Sequence, residues 1–198
     1  MTPTMGRPSL CVYCGSRSGG SPAYATAACE VGSEIGRLGW QLVYGGGRAG
    51  LMGVLADAAL AAGAPVVGVI PQSLMERELG HTGLTELHVV ATMHERKLMM
   101  AERSDAFIAL PGGIGTFEEL FEVWTWRQLG YHDKPLGLLN VGGYYDGLLA
   151  FMQQTLRQGF VSAPQHALLQ VGDQAQPLLA RIAALIPLAT QADDYREI

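Results

Sequence analysis

Two short stretches of the chain carry residues suited to chemistry: Arg96 and Lys97 in "TMHERK", and Glu118 and Glu119 in "PGGIGTFEE". A carboxylate that meets a cation can stabilise charge that develops as a bond breaks. A glycine-rich loop opening a helix can cradle an anion with its N–H groups. The pattern therefore points to an anionic ligand held at a helix start, with a carboxylate at its rim.

These side chains need elements to position them. Thr92 and Glu95 fit a capping box, with Thr92 as N-cap and Glu95 at N3, so Arg96 and Lys97 fall in the first turns of a helix. Cations there oppose the helix dipole, and neither has an acid three or four residues away. An external anion resolves this, as does a carboxylate elsewhere in the fold or extension into water. Thr116 and Glu119 repeat the capping-box spacing, which offers a purely structural role for Glu119. A cap does not need Pro111, Gly112, Gly113 and Gly115 ahead of it, whereas a phosphate cradle does.

A third loop, "GGGRAG" from Gly45 to Gly50, matches the dinucleotide fingerprint between a strand and a helix. No acid follows at the end of the next strand, "PVVGVIPQSLM", to hold a ribose. Gly45, Gly46 and Gly47 are read instead as a tight turn that lets a phosphate or a neighbouring loop approach the backbone.

Apolar runs near Leu10–Cys14, Gln41–Tyr44, Pro65–Ile70, Leu87–Val90, Ala106–Leu110, Pro135–Asn140 and Leu168–Val171 read as strands. Helical patterns lie between them near Pro22–Leu38, Leu51–Ala62, Met93–Arg103, Phe117–Leu129, Tyr145–Gln158 and Gln174–Ile186. The alternation predicts a Rossmann-like, doubly wound α/β fold: a parallel sheet of about seven strands with helices on both faces. Ligands of such sheets bind at the carboxyl ends of the strands, where these loops and "CGSRSGG" fall. One domain over residues 1–198 is expected, with 188–198 as a loose tail.

Composition narrows the function. At 48% hydrophobic and 16% charged the chain is not disordered, and a net charge of −5 argues against general nucleic-acid binding. "MTPTMGRPSL" lacks an apolar signal core, and Val54 to Met75 is broken by Asp57, Gly63, Pro65 and Pro71, so no leader or membrane span is expected and the cytoplasm is the expected compartment. Cys11 and Cys14, in "LCVYC", face opposite sides of a strand and read as small buried hydrophobes. The five histidines are scattered, so no metal is expected. Lys97 and Lys134 are the only lysines, and neither is placed as a Schiff-base residue for a PLP cofactor. No cofactor is expected.

"PGGIGTFEE" fits P-G-G-x-G-T-x-x-E. With "MHERK", "CGSRSG", "GGG" and "WRQLGYHDKPLGLLNVGGYYDGLL", it resembles the Lonely Guy (LOG) family of cytokinin riboside 5′-monophosphate phosphoribohydrolases, many of which are labelled lysine decarboxylase-like. The resemblance runs from about Cys11 to Leu169. It implies hydrolysis of the N-glycosidic bond of AMP or an N6-substituted AMP to free base and ribose 5-phosphate. It assigns catalysis to Arg96 and Glu119, and nucleotide binding to Glu78, Lys97, Gly113, Ile114, Gly115, Thr116, Phe117, Glu118 and Thr125. Gly112, Ser16 and Gly45 to Gly47 join the binding candidates. Two positions depart from the pattern: Ile114, where members often carry Tyr, and Arg17, where Ser is common.

Two other readings compete: an NAD(P)-linked oxidoreductase using Gly45, Gly47 and Gly50, and a non-catalytic nucleotide-binding module in which Glu119 is only a cap. A homodimer is also expected. Phe117, Leu120, Phe121, Val123, Trp124, Trp126 and Leu129 point almost all round their helix, which demands two covered faces.

Overall fold

The computed structural model describes residues 7–78 and 80–195, without the side chains of residues 76–78. Strands β1 (Ser9–Tyr13), β2 (Gln41–Tyr44), β3 (Val66–Pro71), β4 (Glu86–Val90), β5 (Ala106–Ala109), β6 (Leu136–Leu139) and β7 (Leu169–Gly172) form one sheet. Its order is β4-β3-β2-β1-β5-β6-β7, and every pairing is parallel. The helices among the described residues are α1 (Pro22–Arg37), α2 (Gly50–Ala61), α3 (Gln72–Glu78), α4 (Met93–Glu102), α5 (Ile114–Leu129), α6 (Asp146–Arg157), α7 (Ala163–His166) and α8 (Ala175–Leu185).

Successive side chains of a strand face opposite sides, and the central strands show this directly. Leu10, Val12, Leu42, Tyr44, Ala106 and Ile108 pack under α1, α2 and α8. Cys11, Tyr13, Val43, Phe107 and Ala109 pack under α4, α5 and α6. Both faces are covered, which explains why these strands read as unbroken apolar runs. Cys11 and Cys14 fall in the two different cores, as strand geometry requires, and both are buried free thiols.

Strand order reverses between β1 and β5, whose following helices cover opposite faces of the sheet. This is the switch point at which the connections after the two strands diverge and leave a crevice. Neighbouring loops are tied across it: Gly15 N–H donates to Pro111 O (3.1 Å), and Leu51 N–H donates to Gly15 O (3.0 Å).

Two features differ from expectation. The short helices α3 and α7 were not separated from their flanking loops in the sequence, because each is too brief to show a helical period. The tail expected to be loose is folded down as far as Tyr195, which is 8% exposed. Asp194 N–H donates to Tyr131 O (2.9 Å), Asp133 accepts from the N–H groups of Thr190 and Gln191, and the Tyr195 ring packs on Trp126 and His132. Residues 196–198 lie outside the described residues.

Candidate active site

The crevice at the switch point is a cleft of about 490 Å³. Its walls come from the loop after β1, the start of α2, the loop between β5 and α5, and Tyr144. Arg96 and Glu119 also line it.

Arg96 reaches the cleft from the first turn of α4. Thr92 is the N-cap, its hydroxyl accepting from Glu95 N–H (3.1 Å), while the Glu95 carboxylate reaches Ala91 N–H (2.9 Å), one residue beyond the expected partner. The buried Arg96 guanidinium donates through Nε to Val69 O (3.1 Å) and through Nη2 to Gly45 O (3.4 Å). Its Nη1 lies 3.1 Å from Glu119 Oε1. Glu119 is equally buried, and burial pushes its carboxyl up to about 7 although Arg96 pulls the other way. A group poised near neutrality can exchange a proton at ordinary pH.

The capping box expected at Thr116 and Glu119 does not form. Helix α5 begins at Ile114 with Gly113 as its N-cap, so Thr116 lies inside the first turn and Glu119 in the second. A glycine cap has no side chain to announce it, whereas Thr116 carried the stronger local signal. Thr116 is instead buried against Gly112, where an added Cβ would collide with its side chain. Glu119 is thus free of capping and turned to Arg96.

The first intrahelical bond of α5 runs from Phe117 N–H to Gly113 O (3.1 Å). The N–H groups ahead of it, Gly113 to Thr116, have no partner within the helix and sit at its positive end. The Tyr144 hydroxyl donates to Gly112 O (2.5 Å), and Tyr145 donates to Leu110 O (2.7 Å). Two consecutive tyrosines thereby fix both ends of the Leu110-Pro111-Gly112 turn. The planar peptide sends Gly113 N–H away from the carbonyl that Tyr144 holds.

Ser16, Gly112, Gly113, Ile114, Gly115 and Thr116 join Arg96 and Glu119 in the cleft. Other candidates stand elsewhere in the chain. Lys97 binds Glu118 (2.5 Å) and Glu122 (2.8 Å) and does not line the cleft, so a carboxylate on α5, and not an external anion, resolves its charge. Phe117 packs in the α4–α6 core beside Tyr145, and Thr125 is exposed farther along α5. Glu78 ends α3, and its side chain lies outside the described residues.

The glycines from Gly45 to Gly47 are taken up by the protein itself. An added Cβ at Gly45 would collide with Arg96, one at Gly46 would crowd Ile70 and Leu87, and Gly47 pairs with Gly80. None of the three lines the cleft, so the close approach they permit is to neighbouring protein. Sequence reasoning missed Arg17, Tyr24, Met52 and Tyr144 as cleft residues. Only the loop position of Arg17 gave any signal. Among the described residues no group of three or more His, Cys, Asp or Glu is arranged to hold a metal.

The class is a Rossmann-like α/β protein with a buried Arg–Glu pair beside a helix N-terminus. A family profile described as "Possible lysine decarboxylase" matches residues 52–182. Cytokinin riboside 5′-monophosphate phosphoribohydrolase LOG1 of Arabidopsis thaliana is 48% identical over 178 residues, covering 90% of this chain and 84% of that protein. The LOG enzyme of Oryza sativa subsp. japonica is 47% identical over 178 residues, covering 90% and 74%. The chain belongs to this LOG family of phosphoribohydrolases. The solved molybdenum cofactor binding protein from Rippkaea orientalis shares the fold, with a TM-score of 0.70 at 21% identity over 92% of this chain and 99% of that one.

Proposed function

We propose that this protein hydrolyses the N-glycosidic bond of a purine nucleoside 5′-monophosphate, AMP or an N6-substituted AMP, to free base and ribose 5-phosphate. The observation that carries the proposal is the buried Arg96–Glu119 pair on the wall of the cleft that also holds the start of α5. Departure of the base leaves oxocarbenium-like charge on the sugar, which a carboxylate near C1′ stabilises while it activates a water. Glu119 takes that role. Arg96 neutralises charge developing on the leaving base; its very high pKa unsuits it to donate the proton itself, so the base takes its proton from water while Glu119 takes one from the attacking water. The 5′-phosphate sits on the N–H groups from Gly113 to Thr116, with the Thr116 hydroxyl.

The competing readings lose support. The glycines of an NAD(P) site are taken up by the protein itself: Gly45 by Arg96, Gly47 by its bridge to Gly80, and Gly50 by the backbone of Ser16 and Arg17. The cap role that made Glu119 inert belongs to Gly113. A PLP decarboxylase needs a lysine at its cofactor. Lys97 is held by two glutamates outside the cleft, and Lys134 is buried against Ala101 O, Tyr195 and Asp193, beside the tail.

The homodimer belongs to the same proposal, on different grounds from the helix argument. Trp124 donates to Gln165 O (3.1 Å) and Trp126 packs on Tyr195, so α7 and the tail of the same chain cover the second face of α5. What supports a dimer is a surface stripe along α5. Ile114 and Leu129 are exposed there, with Glu118, Glu122 and Thr125 between them at helical spacing, and Met93 is exposed at the start of α4, the helix that Lys97 ties to Glu118 and Glu122. Ile114 also lines the cleft, which supports a site at the edge of this surface. No described helix is long and apolar enough to cross a membrane. Three free cysteines suit a reducing compartment, and we assign the protein to the cytoplasm.

The test is incubation with AMP and N6-substituted AMP, measuring free base and ribose 5-phosphate, with NADH depletion as the parallel control. Absence of base release across the panel refutes the activity. Light scattering at micromolar concentration tests the dimer, which a mass of 21.1 kDa refutes.

A further inference from the structure

A phosphate dianion held only by N–H groups keeps most of its charge, and an arginine beside it contributes two parallel charge-assisted bonds. The cleft is lined by two cations, Arg96 and Arg17. Arg96 is committed to Glu119, Val69 O and Gly45 O. Lys97, the cation that the sequence offered for the phosphate, is committed to Glu118 and Glu122 outside the cleft. Among the described residues no hydrogen bond or ion pair engages the guanidinium of Arg17.

The position of Arg17 is built, even though its head is free. Gly15 packs so closely on the phosphate loop that an added Cβ would lie 3.3 Å from Gly112 Cα, and its N–H is bonded to Pro111 O. Gly50, at φ 58°, lets the start of α2 press on the backbone of Ser16 and Arg17 from the other side. Arg17 follows Gly15 by two residues, at most about 7 Å of extended chain, so its long side chain can reach across Gly112 to the first turn of α5. Its backbone is wedged while the side chain is exposed at the cleft wall.

We infer that Arg17 supplies a cationic contact to the 5′-phosphate, and so strengthens the preference for nucleotide over nucleoside beyond what the N–H groups of the loop give. The inference rests on the phosphoribohydrolase reading. It assigns to the loop after β1 the task that sequence resemblance gave to Lys97.

The experiment compares the wild type with Arg17→Ser, Arg17→Lys and, as a remote charge control, Arg37→Ser on the last turn of α1. Kinetics on AMP are combined with calorimetric binding of ribose 5-phosphate, which needs no turnover. Arg17→Ser is expected to raise KM for AMP and Kd for ribose 5-phosphate together, by about 10- to 100-fold, the scale of a charge-assisted hydrogen bond. Its kcat stays within about twofold, since the contact is equal in ground and transition states. Arg17→Lys recovers part of the loss, and Arg37→Ser changes neither constant. The inference is overturned if Arg17→Ser binds ribose 5-phosphate as the wild type does, if Arg37→Ser weakens it equally, or if the wild type does not bind it. Failure of base release from AMP in every protein refutes the enzymatic reading instead, and the calorimetric comparison still reports on Arg17.

Discussion

Arg96 Nη1 lies 3.1 Å from Glu119 Oε1, with the two side chains 9% and 10% exposed, yet burial holds the Glu119 carboxyl up at about 7. Desolvation outweighs the attraction of the arginine. The pair therefore differs from a surface ion pair, in which the carboxylate would be fully ionised well below neutrality.

Glu119→Gln is expected to lower turnover on AMP by about 10²- to 10⁴-fold, the usual range for a positioned acid–base group. In the wild type, kcat/KM should rise as pH passes through about 7, because the role proposed for Glu119 needs the carboxylate. Stability runs the other way. The folded pKa exceeds the unfolded one, so the contribution is complete below about pH 4.5 and is lost as pH rises to about 7. Urea midpoints across that window should fall for the wild type and stay flatter for the variant. Near-normal turnover in the variant would remove Glu119 from the mechanism.

Arg96→Ala removes three donors at once and leaves Glu119 buried without its cation. Loss of one partner of a buried pair costs about 3–5 kcal/mol. Turnover should collapse and the melting temperature should drop. Asp57→Asn is the contrasting change: Asp57 is an exposed partner of His81 on α2, away from the cleft, and the variant should retain wild-type turnover. A matching loss in both would indicate general destabilisation.

Gly112→Ala should abolish turnover while the protein stays folded. The added methyl runs into Oγ1 and Cβ of Thr116, and Cβ cannot swing away, so the first turn of α5 must shift. Gly113→Ala meets nothing within 4 Å and serves as the comparison at the next residue. Equal activity in the two variants would show that the cradle tolerates movement.

Strands were readable because a short unbroken apolar run is a local property, and their faces follow from the period of two, which sets Leu10 and Val12 against Cys11 and Tyr13. Arg96 and Glu119 were readable through motif resemblance and their place at helix starts. The partners of charges were not. Lys97 finds Glu118 and Glu122 across two helices, 21 and 25 residues away, a distance no helical spacing rule covers. The start of α5 was misread because a bare glycine cap leaves no trace, while Thr116 imitates one. The cover on Trp124 and Trp126 was invisible for a related reason: it comes from α7 and the tail, which carry little periodic signal of their own.

The last prediction concerns that tail. Tyr195 packs on Trp126 with ring centroids 5.6 Å apart, lies 6.2 Å from the His132 ring, and has Lys134 Nζ 5.4 Å from its own centroid. Two of its neighbours are buried polar groups: His132 is pushed down to about 4 by burial, and Lys134 is 8% exposed. Tyr195→Ala opens this cluster to water, and truncation of a buried aromatic costs about 3–5 kcal/mol. At about 2–4 °C per kcal/mol for a chain of this size, the melting temperature should fall by roughly 6–20 °C. KM and kcat on AMP should hold at moderate temperature, since the tail packs beside the starts of β5 and β6, whereas the cleft lies at the opposite ends of the strands. The acid side gives a second readout. His132 has a folded pKa below its unfolded value, so its contribution is present above about pH 6.5 and is lost as pH falls towards about 4. Once Tyr195 is gone, water reaches the imidazole and that acid loss should shrink. Leu188→Ala, at a residue 70% exposed in the same tail, should melt as the wild type does. Equal melting of Tyr195→Ala and wild type would show that the tail lies on the protein without clamping it.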